Sequence, residues 1–96
     1  MMVLVSYDVS TQDEGAARRL RRLAKVCRDH GQRVQYSVFE IEVDAAMWVT
    51  VKAALIAVAD LSVDSLRFYY LGNGWQRKVE HHGAKGVLDL NGPLIF

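Results

Sequence analysis

The stretch Arg33-Val-Gln-Tyr-Ser-Val-Phe-Glu-Ile-Glu-Val43 decides how the chain folds. It is rich in β-branched and aromatic residues and reads as strand. Its apolar residues, however, follow two incompatible registers. Val34, Tyr36 and Val38 share one parity; Phe39, Ile41 and Val43 share the other. A slip of one residue exchanges the two faces of a sheet, so a bulge or bend is expected near Ser37–Val38. The region therefore counts as one strand or two.

Working outward, Val3-Leu-Val-Ser-Tyr-Asp-Val9 reads as a strand that ends at Ser10-Thr11. Thr11 and Glu14 have capping-box spacing, and a helix is expected from there to about His30, with Gly31 as its C′ residue. Ala16, Ala17, Leu20, Leu23, Ala24 and Cys27 mark its apolar side. Downstream, Asp44 is placed to cap a helix from Ala45 to about Ala59 with Met47, Val51, Leu55 and Val58 as its core stripe. Ser65–Leu71 is a further strand, Gly72-Asn-Gly74 a turn, and Trp75–Glu80 one more short strand. His81 to Gly92 reads as irregular, and Pro93-Leu-Ile-Phe96 brings the chain to an apolar end.

The order predicts an α+β, ferredoxin-like βαββαβ domain: an antiparallel sheet with both helices on one face. Apolar residues on both strand parities call for cover on the other face, and a second copy of the chain supplies it. The apolar terminus is expected to add as a strand to the partner subunit. Residues 1–96 form one domain, with a core to about residue 80 and a dimerisation tail over about 81–96.

The chain has 96 residues and a mass of 10.8 kDa, enough for a single modest core. With 51% hydrophobic and 24% charged residues, disorder, collagen-like repeats and a disulfide scaffold are excluded. Cys27 has no partner for an intrachain bridge, which fits a reducing cytoplasm. No signal peptide is legible, and the apolar stretch Ala45–Ala59, which contains Lys52, is too short to cross a bilayer, so no membrane association is expected. The net charge of +1 is unevenly spread. Residues 1–33 hold seven Lys/Arg against four Asp/Glu, and residues 34–66 hold one against five. Local concentration of this kind is what attracts a polyanion.

Asp8 sits one residue from the end of an apolar strand, where site residues are commonly presented. It reads two ways: as an oxygen ligand for Mg²⁺ or Mn²⁺, or as a cap for the Ser10 or Thr11 amide. One carboxylate makes no tight metal site, whereas Asp8 and its copy across a two-fold axis would supply two. The helix from Arg18 to Arg28 carries Arg18, Arg19, Arg21, Arg22, Lys25 and Arg28 on its polar side. These form a phosphate-binding surface or a solvated, salt-bridged face. Adjacent His81 and His82 point apart on a strand and do not chelate together. Cys27 reads as a small core residue. Tyr69, Tyr70 and Trp75 are base-stacking groups or core.

Val3-Leu-Val-Ser-Tyr-Asp-Val9, the Arg-rich helix from Arg18, Gly31 and Arg33-Val-Gln-Tyr-Ser-Val-Phe-Glu40 together resemble the small universal CRISPR-associated adaptation protein family, of the CRISPR-associated endoribonuclease type. The resemblance is strongest over residues 2–43, and the tail resembles the ending of one subgroup. It implies a ferredoxin-like homodimer and, in some members, Mg²⁺-dependent cleavage of RNA or double-stranded DNA. Carried over to this sequence, it places the metal-binding aspartate at Asp8, its aromatic neighbour at Tyr7, and activity-linked residues at Arg33 and Phe39. Arg18, Arg19, Arg22 and Lys25 would contact nucleic acid. The other role it implies is non-catalytic: a dimer that supports DNA for the CRISPR integrase during spacer acquisition.

Overall fold

The computed structural model describes residues 1–72 and 78–84. Seven elements follow in order: β1 (Met2–Asp8), α1 (Ala16–His30), β2 (Gly31–Gln35), β3 (Val38–Glu42), α2 (Ala45–Val58), β4 (Ser65–Leu71) and β5 (Lys78–Gly83). The five strands form one sheet in the order β2-β3-β1-β4-β5, antiparallel at every step. This is the expected ferredoxin-like arrangement with a fifth strand on one edge. β5 covers Lys78–Gly83, so His81–Gly83, expected to be irregular, are strand and cross the expected boundary between core and tail. The expected turn after Gly72 and the start of the strand at Trp75 lie outside the described residues. The segment Pro93–Phe96 lies outside the described residues.

The parity change in the 33–43 stretch has a simple cause. Tyr36 and Ser37 form a tight turn, so the chain reverses there instead of bulging within one strand. A register irregularity is present as well, between Arg33 and Gln35. In β1, Val3 pairs with Ile41 and Tyr70, and Val5 pairs with Phe39 and Phe68. These rows stack into the core, joined by Tyr7, Leu23, Cys27, Trp48, Val51, Leu55 and Leu66.

α1 starts at Ala16, later than the Thr11 capping box predicts, and its N-cap Gly15 makes no side-chain cap. Asp13 organises that entry instead, its carboxylate accepting from the Gly15 amide at 3.0 Å. Gly31 is not a left-handed cap: it is extended and is already the first residue of β2. A Cβ there would lie 2.1 Å from the Glu40 carbonyl oxygen. Only glycine lets the helix pass into the strand this close to β3.

α2 is capped as expected, the Asp44 carboxylate accepting from the Met47 amide at 2.7 Å. Its buried residues are Trp48, Val51 and Leu55, whereas Met47 is 43% exposed. Trp48 takes the inward place because its ring meets Phe68 and Tyr70 edge-on, with centroids 5.0 and 5.9 Å away. Its indole N–H donates to the Tyr70 hydroxyl at 3.0 Å, and that hydroxyl donates to Glu80 at 2.7 Å. Lys52 and His82 also meet the Glu80 carboxylate. Partial burial raises the Glu80 pKa, but the hydrogen bonds from Lys52, Tyr70 and His82 outweigh it and hold the group at about 2.

Asp64 is fully buried and lies just before β4. One carboxylate oxygen accepts from the Ser10 amide at 3.0 Å and from Arg19 Nη2 at 3.2 Å. The other accepts from Arg19 Nε at 2.7 Å and from the Asp60 amide at 2.9 Å. The Asp64 carbonyl takes the Ala84 amide at 2.9 Å. One residue thus ties together the β1–α1 loop, α1, the α2–β4 loop and the end of β5.

Replacing Asp64 by Ala takes from Arg19 its buried partner, leaving it Asp13 alone, and strands two amides. We expect a loss of ~3–5 kcal/mol, seen as a lower urea midpoint with an unchanged slope. For Glu80, whose folded pKa lies below its ordinary value, the stabilisation is present above pH ~4.5 and is lost as the pH falls toward ~2. Urea melts at several pH values should therefore show Glu80→Gln flattening the stability profile across that window. A wild-type profile already flat there would remove the role assigned to the Glu80 cluster.

Candidate functional site

The alternation of β1 separates the two residues that the sequence places side by side. Val3, Val5 and Tyr7 point into the helix-covered core and are buried, while Asp8 is exposed. Tyr7 and Asp8 therefore serve opposite faces of the sheet.

On the open face, Asp8 shares a pocket of about 230 Å³ with Ser6, Ser65, Arg67 and Tyr69, and the Tyr7 position between Ser6 and Asp8 also borders it. The strand register explains the grouping: Asp8 is opposite Ser65, and Ser6 is opposite Arg67. The Ser10 amide, one of the two that the capping reading assigns to Asp8, is taken by Asp64. Arg67 is absent from the sequence-predicted set. The signal for it was available, since Ser65, Arg67 and Tyr69 alternate against the apolar Leu66 and Phe68. His81 pairs with Arg67 across the β4–β5 ladder and so shares this face, whereas His82 turns to the helix side and meets Glu80 at 2.6 Å. Burial, and then the Arg67 charge, lower the His81 pKa. Its buried Nε2 has no hydrogen-bond partner among the described residues.

On the helix side, Tyr7 and Phe39 stack with centroids 6.2 Å apart, and the Arg33 guanidinium lies 5.0 Å above the Phe39 ring. Burial raises the Tyr7 pKa, against the hydrogen bond with Arg33 that draws it down. Tyr7, Arg33 and Phe39 thus form one cluster, and Asp8 is not part of it.

The basic side of α1 is also divided. Arg19 is held inward, its guanidinium bridging Asp64 and the Asp13 carboxylate, with Arg19 Nη2 2.9 Å from Asp13 Oδ2. These partners raise the Arg19 pKa and lower that of Asp13. Arg19 is committed to the fold and is not available as a solvent-facing phosphate contact. Arg18 and Arg22 are exposed on the crest, and Lys25 beside them pairs with Asp29 at 3.1 Å. Cys27 is buried in the core, as expected, and burial pushes its thiol up to about 12.

Among the described residues, no three His, Cys, Asp or Glu side chains gather to hold a metal ion. The Asp8 pocket offers one carboxylate, two serine hydroxyls and a guanidinium. A hard divalent cation takes about six oxygen ligands, and a single protomer with a cation already present does not fit one. Among the described residues, no helix is long and apolar enough to cross a membrane.

The family model described as CRISPR associated protein Cas2 matches residues 1–79. A Rhodospirillum rubrum protein named CRISPR-associated endoribonuclease Cas2 3 is 61% identical over 95 residues, covering 99% of this chain and 100% of that protein. The CRISPR-associated endoribonuclease Cas2 of Nitratidesulfovibrio vulgaris is 60% identical, covering 100% of this chain and 94% of its own length. The crystal structure of Streptococcus pyogenes Cas2 at pH 6.5 superposes with a TM-score of 0.70 at 52% identity, over 78% of this chain and 90% of that one. The strand order, the Asp8-bearing β1 and these matches lead to one conclusion: the chain belongs to the Cas2 family of CRISPR-associated proteins.

Proposed function

We propose that this chain is a cytoplasmic CRISPR-associated endonuclease that hydrolyses phosphodiester bonds of RNA or double-stranded DNA and works as a homodimer. The names of its Rhodospirillum and Nitratidesulfovibrio relatives support the reaction class. The observation that carries it to particular residues is the open-face pocket, where Asp8 and Arg67 stand together at the end of β1. Arg67 takes a non-bridging phosphate oxygen, and the hydroxyls of Ser6 and Ser65 orient the same group by hydrogen bonds. A second protomer provides what one lacks. On the open face Leu4 lies opposite Tyr69, and Met2 opposite the exposed Leu71, an apolar stripe suited to burial against a copy of itself. Asp8 from each protomer would then hold Mg²⁺ (or Mn²⁺) between them. Such an ion, when bound, supplies charge neutralisation at phosphorus.

A second reading is favoured by the α1 crest. There Arg18, Arg22 and Lys25 carry exposed charge on the helix side of the sheet, whereas Asp8 is on the open face. In this reading the dimer is a DNA-supporting adaptor for the CRISPR integrase, and binding needs no cleavage.

For the nuclease reading, Asp8→Ala should abolish Mg²⁺-dependent cutting of RNA and duplex DNA while sedimentation still shows a dimer. Equal cutting by the mutant and wild type would assign the activity to a contaminant. For the adaptor reading, the triple Arg18→Ala, Arg22→Ala, Lys25→Ala should weaken duplex binding irrespective of sequence. It should also reduce the slope of log affinity against log salt by about 2–3. An unchanged slope would show that DNA does not lie on this crest.

A further inference from the structure

Arg21 and Arg28 are seven residues apart, two turns of α1, and so rise from the same side of the helix. Between them on that side lies Ala24, whose small side chain leaves a recess. The opposite wall is the β2–β3 hairpin, contributing Arg33, Tyr36 and Ser37, and Tyr7 lines the pocket as well. The pocket measures about 480 Å³. Apart from Tyr7, which borders both, it shares no lining residue with the Asp8 pocket, and the parity of β1 puts the Asp8 side chain on the opposite face of the sheet.

Its electrostatics are one-sided. Three guanidinium groups line it and no carboxylate does. None of the three belongs to an ion pair among the described residues, in contrast to Arg19 and Lys25. Arg33 is already fixed over the Phe39 ring. A permanent charge of this size in a recess is suited to an anion bearing more than one negative charge. An internal phosphodiester carries one. A terminal phosphate carries about −1.5 to −2 at pH 7, with three acceptor oxygens for the three arginines. Beside it stands Tyr36, 91% exposed at the hairpin tip. An aromatic ring held in water at the rim of a cationic pocket is a platform for an unpaired base.

We propose that this pocket binds the phosphorylated end of a single-stranded nucleic acid, with the terminal phosphate among Arg21, Arg28 and Arg33 and the terminal base stacked on Tyr36. The inference takes only the class of ligand from the nucleic-acid function proposed above. Binding measured without divalent metal reads it separately from cleavage.

The test is fluorescence anisotropy with the full chain in EDTA at fixed salt. The probes are thymidine hexanucleotides carrying a 5′ phosphate, a 3′ phosphate or hydroxyls at both ends. One phosphorylated probe should bind about tenfold more tightly than the hydroxyl-ended one. Arg28→Gln should shrink that preference to about twofold, because one of three charge-assisted contacts is gone. Tyr36→Ser should weaken all three probes by about tenfold and leave their ratio unchanged, because stacking ignores the phosphate. Both side chains are exposed, and circular dichroism is the control for the folding of each variant. The proposal fails if neither phosphate improves binding, or if the preference survives Arg28→Gln intact.

Discussion

A carboxylate taken out of water is tolerated only when nearly every lone pair finds a donor, and Asp64 meets that condition with four bonds from three segments. The partners are not interchangeable. Ser10 comes from the exit of the sheet's central strand, Arg19 from the second turn of α1, and Asp60 from the loop after α2. The bonding therefore specifies how the two helices enter the layer above the sheet. Gly83 belongs to the same junction: its φ of 128° and the Asp64 carbonyl 2.1 Å from its absent Cβ leave room for no side chain. Hydrophobic burial drives collapse, but it is non-directional. The junction around Asp64 is what gives the collapsed layers their orientation.

That orientation makes β1 a partition. Adjacent residues of one strand face different surroundings. Tyr7 joins an aromatic and guanidinium cluster under α1, and Asp8 joins Ser65 and Arg67 on the uncovered face. Residues that share a motif in sequence need not share a site in space. The basic helix shows the same logic around its circumference. Arg19 turns inward to Asp64, Arg18 and Arg22 stay on the crest, and Arg21 and Arg28 lean toward the hairpin. One run of arginines thus serves cohesion, surface charge and a recess.

Much of this was legible from residue order. The Val3–Val9 strand, the Asp44 cap and the Ser65–Leu71 strand follow from local residue pattern and appear in the structure, as does the apolar side of α1 at Ala16, Leu23, Ala24 and Cys27, although Ala17, expected with them, is exposed. What stayed hidden depends on distance along the chain. Arg19 and Asp64 are 45 residues apart, and nothing local marks Arg19 as different from Arg18 or Arg22. Trp48 replaced Met47 as the inward residue because of rings on β4, which a helical wheel does not contain. The Thr11–Glu14 capping box lost to Asp13, whose carboxylate serves both the Gly15 amide and Arg19. In the candidate site, Asp8 is marked in the sequence by its place at a strand end and Arg67 by its alternation with Leu66 and Phe68, but only the register of β4 against β1 brings the two to one place.

Gly31 gives α1 and β2 no connecting loop at all. A hinge needs at least one residue whose torsions can turn without colliding with its neighbours, and here the backbone of β3 presses against that very position. The helix and the hairpin are therefore joined directly, like the two arms of a bracket. Whatever enters between its arms meets walls already set at their working separation.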